Sequence, residues 1–250
     1  MTAGRLRVAT WNVRNGFGVD GWRSWPLRRG DAAETVRALG ADVIGLQEVH
    51  GWQLPTLRKA VPRHVAVGDG RGRRGRGERC ALLVGPALRI VRHRTLWFSD
   101  TPTVPGTRLP GATHPRVVTL AELEELDTGT RLGVAVAHLD QRLEDNRAAS
   151  ASMLLGWMDA ALPWVVLGDL NAGPDSPTLR RLEAGGFRSA LPPGAGGTAH
   201  QLTGTLDGPR IDHVLVRGAW QVDDARILHV RPGGRLPSDH WPVVADLRGT

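Results

Sequence analysis

The chain contains no tyrosine, a single cysteine, Cys80, and a single lysine, Lys59. No apolar run approaches the ~18 residues needed for a membrane-spanning helix, so a soluble protein without stable membrane association is expected. One cysteine excludes an internal disulfide. Its place in Cys80-Ala81-Leu82-Leu83-Val84 makes it a small buried hydrophobe, which fits a reducing, cytoplasmic setting. Met1 to Arg7 is basic but runs directly into Val8-Ala9-Thr10-Trp11-Asn12-Val13. That stretch reads as a strand and not as the apolar core of a secretory signal, and no export is expected. One cysteine and nine scattered histidines also lack the short Cys/His spacing of a zinc centre. With lysine nearly missing, the formal charge of +7 is carried by arginine. Two readings stand: an anionic partner such as nucleic acid, phosphorylated metabolite or lipid headgroup, or an arginine-biased composition.

What is present suits a sizeable core. Apolar residues make up 41% of 250 residues, no repeat or long polar linker divides the chain, and one domain over 1–250 is expected. Short apolar runs predict strands at 6–12, 42–47, 63–67, 80–85, 88–97, 116–124, 131–138, 163–168, 211–217, 225–230 and 242–247. Helical spacing predicts a helix capped by Asp31 and ended by Gly40, another over Trp52 to Ala60, and a longer one over Leu143 to Leu162. In the longest, Ala148, Ala151, Leu154, Leu155, Met158 and Leu162 would share a face. The order predicts α/β with substantial antiparallel content. Three glycine- or proline-rich loops, 69–78, 99–115 and 191–209, are long enough to be functional or disordered.

Chemistry-bearing residues collect at the ends of apolar strands: Trp11-Asn12, Leu46-Gln47-Glu48, Ala137-His138-Leu139-Asp140 and Leu167-Gly168-Asp169-Leu170-Asn171. Strand ends converge in α/β folds, where such groups can meet. Ile211-Asp212-His213-Val214 and Ser238-Asp239-His240-Trp241-Pro242 follow. A phosphodiester is already negative, so its hydrolysis calls for charge neutralisation, an activated water and a protonated leaving oxygen. Isolated carboxylates that hold a hard cation, with imidazoles near neutral pKa, supply all three, and such spacing suits Mg²⁺. Taken singly, an Asp after a strand is more often a cap or turn former, and a strand-end His a structural one.

The ordered set Thr-Trp-Asn-Val, Leu-Gln-Glu-Val, Gly-Asp-Leu-Asn, Ile-Asp-His-Val and Ser-Asp-His-Trp-Pro-Val resembles the endonuclease/exonuclease/phosphatase superfamily over residues 8 to 247. The resemblance implies a four-layer α/β/β/α sandwich, two stacked mixed β-sheets flanked by helices, with Mg²⁺ or Mn²⁺ as cofactor. It implies Glu48 as principal metal ligand, with Asn12 and Asp239 near the ion. Asp169 and Asn171 would orient water and phosphate. His240, oriented by Asp212, would hydrogen-bond the phosphate or act as base. His138 would be a general acid or phosphate ligand, with Glu78 as its carboxylate support. Arg116, in a stretch similar to a bacterial branch of the superfamily, is a candidate phosphate clamp or a strand-edge arginine in solvent. Asp140 is expected to support its loop, and Asn15 to reach the metal shell or only make its turn. The missing tyrosine counts against close kinship with abasic-site repair endonucleases.

The function expected is that of a metal-dependent phosphodiesterase or nuclease acting by in-line attack of a metal-activated water, with no obligate protein partner. Arg71 to Arg76 could track a DNA or RNA backbone or form a solvated turn. Trp22 and Trp25 could stack on bases or pack as anchors. A small phosphorylated metabolite, a phospholipid headgroup, or a non-catalytic module of the same fold are the alternatives. A lipid enzyme would be expected to show an apolar hairpin or amphipathic helix, and none is clear.

Overall fold

The computed structural model describes residues 4–18, 21 and 24–249. In chain order it contains β1 (Arg5–Asn12), α1 (Trp25–Leu39), β2 (Val43–His50), α2 (Leu54–Ala60), β3 (Val65–Val67), β4 (Glu78–Val84), β5 (Leu88–Trp97) and β6 (Val117–Glu125). There follow β7 (Arg131–His138), α3 (Glu144–Trp157), β8 (Trp164–Asp169), α4 (Pro177–Ala184), β9 (Arg188–Ser189), β10 (Asp212–Arg217), β11 (Trp220–Ile227) and β12 (Val243–Gly249).

The strands make two six-stranded sheets, ordered β11-β12-β1-β2-β4-β3 and β5-β6-β7-β8-β10-β9. Each sheet is mixed, with one parallel pair at its centre: β1 with β2, and β7 with β8. Side-chain alternation along these strands fills three apolar layers. Between the sheets lie Val8, Val43, Leu82, Val136, Val165, Leu167, Val214 and Val243. The intervening residues Ala9, Trp11, Ile44, Leu46 and Leu83 face α1 and α2. Val118, Leu120, Ala135, Val166 and Leu215 face α3 and α4. The result is the α/β/β/α sandwich. The two sheets approach closely at Gly45, where a Cβ would stand 2.9 Å from Val136 and 3.0 Å from Leu167. Among the described residues no helix is long and apolar enough to cross a membrane.

Several elements differ from the expected bounds. α1 begins at Trp25, because Ser24 is its N-cap and Pro26 sits in the first turn. Asp31 is therefore interior and pairs with Arg235 at 2.7 Å. α2 starts at Leu54, after a turn that holds Trp52. α3 stops at Trp157, since Met158 is already extended, and the carbonyl of Asp159 in the following turn accepts from Trp164 Nε1 at 2.8 Å. α4 was not expected; Ser176 caps it by accepting from the Leu179 N–H at 3.2 Å. β11 starts at Trp220 rather than near 225, because a register shift between Val222 and Asp224 hides its alternation.

Candidate active site

The two central parallel pairs end side by side, and their carboxyl ends carry Asn12 on β1, Glu48 on β2, His138 on β7 and Asp169 on β8. Asp212, at the start of β10, is the register partner of Asp169. Ligands of open α/β sheets bind at such ends. The sandwich thus brings residues separated by most of the chain into one cluster.

Glu48 reaches the cluster through a bulge. Between Leu46 and Val49 the β2–β4 register shifts, and Glu48 has a φ of 63°, a left-handed conformation unusual for a residue with a side chain. Its Oε1 accepts from Asn12 Nδ2 at 3.0 Å, and its Oε2 accepts from the Asn15 N–H at 2.8 Å. Asn15 also makes its own turn, its Oδ1 accepting from the Phe17 N–H at 3.1 Å. The Asn12 amide also donates to Asp169 Oδ2 at 3.0 Å, joining the two sheets.

Asp212, Asp169 and His240 form the second half. His240 Nδ1 lies 2.8 Å from Asp212 Oδ2, and its Nε2 lies 4.0 Å from Asp169 Oδ2. Burial alone would lower the His240 pKa, but the charges of Asp212, Asp169 and Asp239 and the Asp212 bond outweigh it and hold the imidazole up at about 10. Burial and the neighbouring Asp212 push Asp169 up to about 7, against the opposing effects of His240 and the Asn12 bond. Asp169 Oδ1 also accepts from the Asn171 N–H at 3.0 Å, with Asn171 in a left-handed conformation and its amide donating to the Leu139 carbonyl at 3.1 Å. His213, beside Asp212, points elsewhere and meets the Ala172 carbonyl at 2.8 Å.

His138 is buried with its Nε2 3.6 Å from Asp169 Oδ2. Burial first, then the charges of Arg116, Arg71 and His240, lower its pKa well below the ordinary histidine value and keep the ring neutral. Glu78 lines the same pocket, but its carboxylate is held by Arg71 at 2.9 Å, and the carboxylate at ion-pair distance from His138 is Asp169. Arg116 is buried beside them and donates to Gln141 Oε1 at 2.9 Å, which removes the reading of a strand-edge arginine in solvent. Asp140 accepts from the Arg142 and Leu143 N–H groups at 2.8 and 3.1 Å and so shapes its own loop.

Three residues outside the expected set hold the site. Arg14 pairs with Asp239. Arg71 points inward from a turn whose other arginines, Arg73, Arg74 and Arg76, are exposed. Arg28, buried on α1, donates to the carbonyls of Val13 and Pro237 at 2.7 and 2.9 Å and of Arg14 and Asn15 at 2.7 and 3.1 Å. It thereby ties the loop after β1 to the loop that carries Asp239 and His240. Ser238 Oγ to the Asn12 carbonyl, at 2.7 Å, and Trp11 Nε1 to the His240 carbonyl, at 2.9 Å, reinforce the same junction. The spacing Asn12-x-Arg14 beyond a strand end was the available signal for Arg14; Arg28, in mid-helix, carried none.

The loop 191–209 is anchored against this junction, with a bridge between Ala199 and His240 and a bond from Trp241 Nε1 to the Thr205 carbonyl at 3.0 Å. Trp25 is buried at the start of α1, and Trp22 lies outside the described residues.

Asp169, Asp212 and His240 present ligand atoms within 4.8 Å of one another and could hold a metal ion. His240, however, already spends Nδ1 on Asp212. On the other side, Glu48, Asn12 and Asp239 offer oxygen donors of the kind Mg²⁺ and Mn²⁺ prefer. The guanidinium on Asp239 marks where positive charge is already accepted. The residues present fit a hard divalent ion.

The protein is a two-sheet α/β sandwich with carboxylates, an amide and an imidazole clustered at its central strand ends. The chain belongs to the endonuclease/exonuclease/phosphatase family, whose model matches residues 9–240. No protein of curated function matches it in sequence. Among solved structures, an endonuclease/exonuclease/phosphatase family protein from Bacteroides thetaiotaomicron is 26% identical with a TM-score of 0.92, covering 100% of both chains. A mannosyl-6-phosphatase from the same organism is 26% identical with a TM-score of 0.88, covering 97% of this chain and 99% of that one. TDP2 from D. rerio, complexed with a single-strand DNA product, is 15% identical with a TM-score of 0.75, covering 98% and 99%, a likeness of fold.

Proposed function

We propose that residues 1–250 form one catalytic domain that hydrolyses phosphoester bonds with Mg²⁺ or Mn²⁺, by in-line attack of an activated water. The observation that carries this reading is the contact of two clusters through one amide: Asn12 bonds both Glu48 and Asp169, each at 3.0 Å. Glu48, Asn12 and Asp239 would hold the ion, which when bound supplies charge neutralisation at the phosphate and a more acidic water.

The chain's own groups divide the remaining work. Asp169, pushed up to about 7, is suited to take a proton from water near neutral pH. Asn171, bound to it, would orient the water or the phosphate. His240, kept protonated by Asp212, donates to the phosphate and stabilises developing charge. His138, held neutral, suits a hydrogen bond to phosphate better than delivery of a proton. Arg116 clamps from the buried side, with Arg71 and Glu78 setting the charge around it.

A phosphodiester, including DNA or RNA, is favoured as substrate by the exposed arginines 73, 74 and 76 beside this pocket. The likeness to a mannosyl-6-phosphatase supports a second reading, a small phosphorylated sugar. Cys80 is buried, with burial pushing its thiol up to about 12, so it is kept protonated and unreactive as suits a reducing, cytoplasmic setting. The test is a panel of bis-p-nitrophenyl phosphate, p-nitrophenyl phosphate, plasmid DNA, RNA, mannose 6-phosphate and phospholipid, with Mg²⁺, Mn²⁺ or EDTA. Metal-dependent turnover on the panel is expected. Phosphate binding without any turnover would instead make the chain a non-catalytic module.

A further inference from the structure

The rim of the site carries an apolar surface that hydrolysis itself does not use. Phe17 is 68% exposed and Trp52 is 46% exposed. Both belong to the segments that place Glu48: Phe17 follows Asn15, and Trp52 follows the end of β2. The Phe17 ring meets His50 edge-on at 4.6 Å and Trp52 at 5.5 Å, and His50 lies nearly parallel to Trp52 at 6.3 Å. Buried Trp25 backs Trp52 at 6.1 Å. A Cβ on Gly16 would stand 2.2 Å from the Trp52 ring, so only glycine lets this loop settle onto the indole. The rings form one supported two-walled platform, with Phe17 and Trp52 set at 69° so that a flat ligand stacks on one ring and meets the other edge-on, unlike the scattered single apolar residues common on surfaces.

The polar side chains at the base of the platform are already engaged. Gln53 accepts from the His50 N–H at 2.9 Å and donates to the Arg14 carbonyl at 3.4 Å, while Asn15 serves Glu48 and Phe17. A sugar could lay only its C–H face on one ring, its hydroxyls staying in water, and so would gain little beyond the small apolar area it covers. A nucleobase would present a flat π-face that loses little and stacks. The Arg79 guanidinium lies against Gly51, 3.1 Å from where a Cβ would be, and so places positive charge between the platform and the arginine turn.

Resting on the phosphoesterase reading, we propose that Phe17 and Trp52, supported by His50 and Trp25, form a stacking subsite for the nucleobase of a nucleotide whose phosphate lies at Glu48. The subsite selects nucleotide esters over sugar phosphates of equal charge.

Two measurements test it. Calorimetry with Mg²⁺ present compares thymidine 5′-monophosphate with ribose 5-phosphate for the wild type, Phe17→Ala, Trp52→Ala and Trp52→Phe. The base should tighten binding about tenfold, the low end for stacking on an aromatic side chain. Either alanine substitution should erode that advantage and Trp52→Phe should keep most of it. Equal binding of the two ligands, or an advantage that survives both alanine substitutions, overturns the subsite. Steady-state hydrolysis then compares the p-nitrophenyl ester of thymidine 5′-phosphate with methyl p-nitrophenyl phosphate. The ratio of kcat/KM values should fall about tenfold in Trp52→Ala, chiefly through KM; an unchanged ratio overturns the subsite as well. Base-dependent binding with no hydrolysis of either ester would sink the phosphoesterase reading alone.

Discussion

Asn12 and Asp169 lie on different sheets, and the Asn12 side-chain amide crosses between them to donate to the buried Asp169 carboxylate at 3.0 Å. The same nitrogen donates to Glu48 at 3.0 Å, so one amide holds the metal side and the water side of the site in register. Asn12→Ala removes a donor from a buried carboxylate, a loss of about 1–3 kcal/mol. Urea denaturation should read that cost. Activity on bis-p-nitrophenyl phosphate should fall on the order of 100-fold, as for other single positioned donors.

Arg28 supports the site from behind with four carbonyls as its acceptors. Lysine has three donors and no planar fork, so Arg28→Lys should recover only part of what Arg28→Ala loses. The alanine variant is expected to lose about 2–4 kcal/mol in stability by urea denaturation. It should also bind Mn²⁺ more weakly, because the Asn12–Asn15 and Pro237–Asp239 loops are then held only by the Ser238, Trp11 and Arg14 contacts. Equal stability of all three proteins would contradict this.

Glu48 is expected to dominate ion affinity. Glu48→Gln keeps the shape and removes the charge, and calorimetric titration with Mn²⁺ should show binding weakened about tenfold or more, in line with loss of a directly coordinating carboxylate. Affinity equal to wild type would move the ion to the Asp169, Asp212 and His240 cluster.

Acid stability should depend on Asp140. Burial would raise its pKa, but the bonds from the Arg142 and Leu143 N–H groups, the Asn146 amide and the nearby Arg116 together lower it below its ordinary value. The folded state then binds this proton less readily than the unfolded chain. The contribution is fully present above about pH 4, the unfolded value, and is lost as pH falls further. Asp140→Asn should flatten the fall in urea-unfolding free energy below pH 4. An identical acid limb in the variant would refute the assignment.

The fold was legible because its cores are built from plain alternation: Val8 and Ala9, or Leu82 and Leu83, divide cleanly between the two faces of a sheet. Where a local irregularity broke that period, as at Val222 in β11, the reading failed. The convergence of Asn12, His138, Asp169 and Asp212 was legible because each closes or opens a strand, while Glu48 at the β2 bulge and His240 in the loop before β12 were legible only through their motifs. Arg28 was not, since an arginine in a helix looks solvated until the carbonyls around it are known. The pairing of Glu78 was misjudged for a related reason: its place at the start of β4 was visible, but not that Arg71 folds back to take its carboxylate.

Asp212, His240 and Asp169 are proposed to act with a divalent ion as one hydrolytic site. Initial rates on bis-p-nitrophenyl phosphate test it most directly, comparing wild type, wild type with EDTA, and His240→Ala at saturating Mg²⁺. Chelation should abolish turnover reversibly, and His240→Ala should lower kcat on the order of 100-fold or more, with the folded structure intact by circular dichroism. Turnover indifferent to EDTA, or retained in the folded His240→Ala protein, would contradict it.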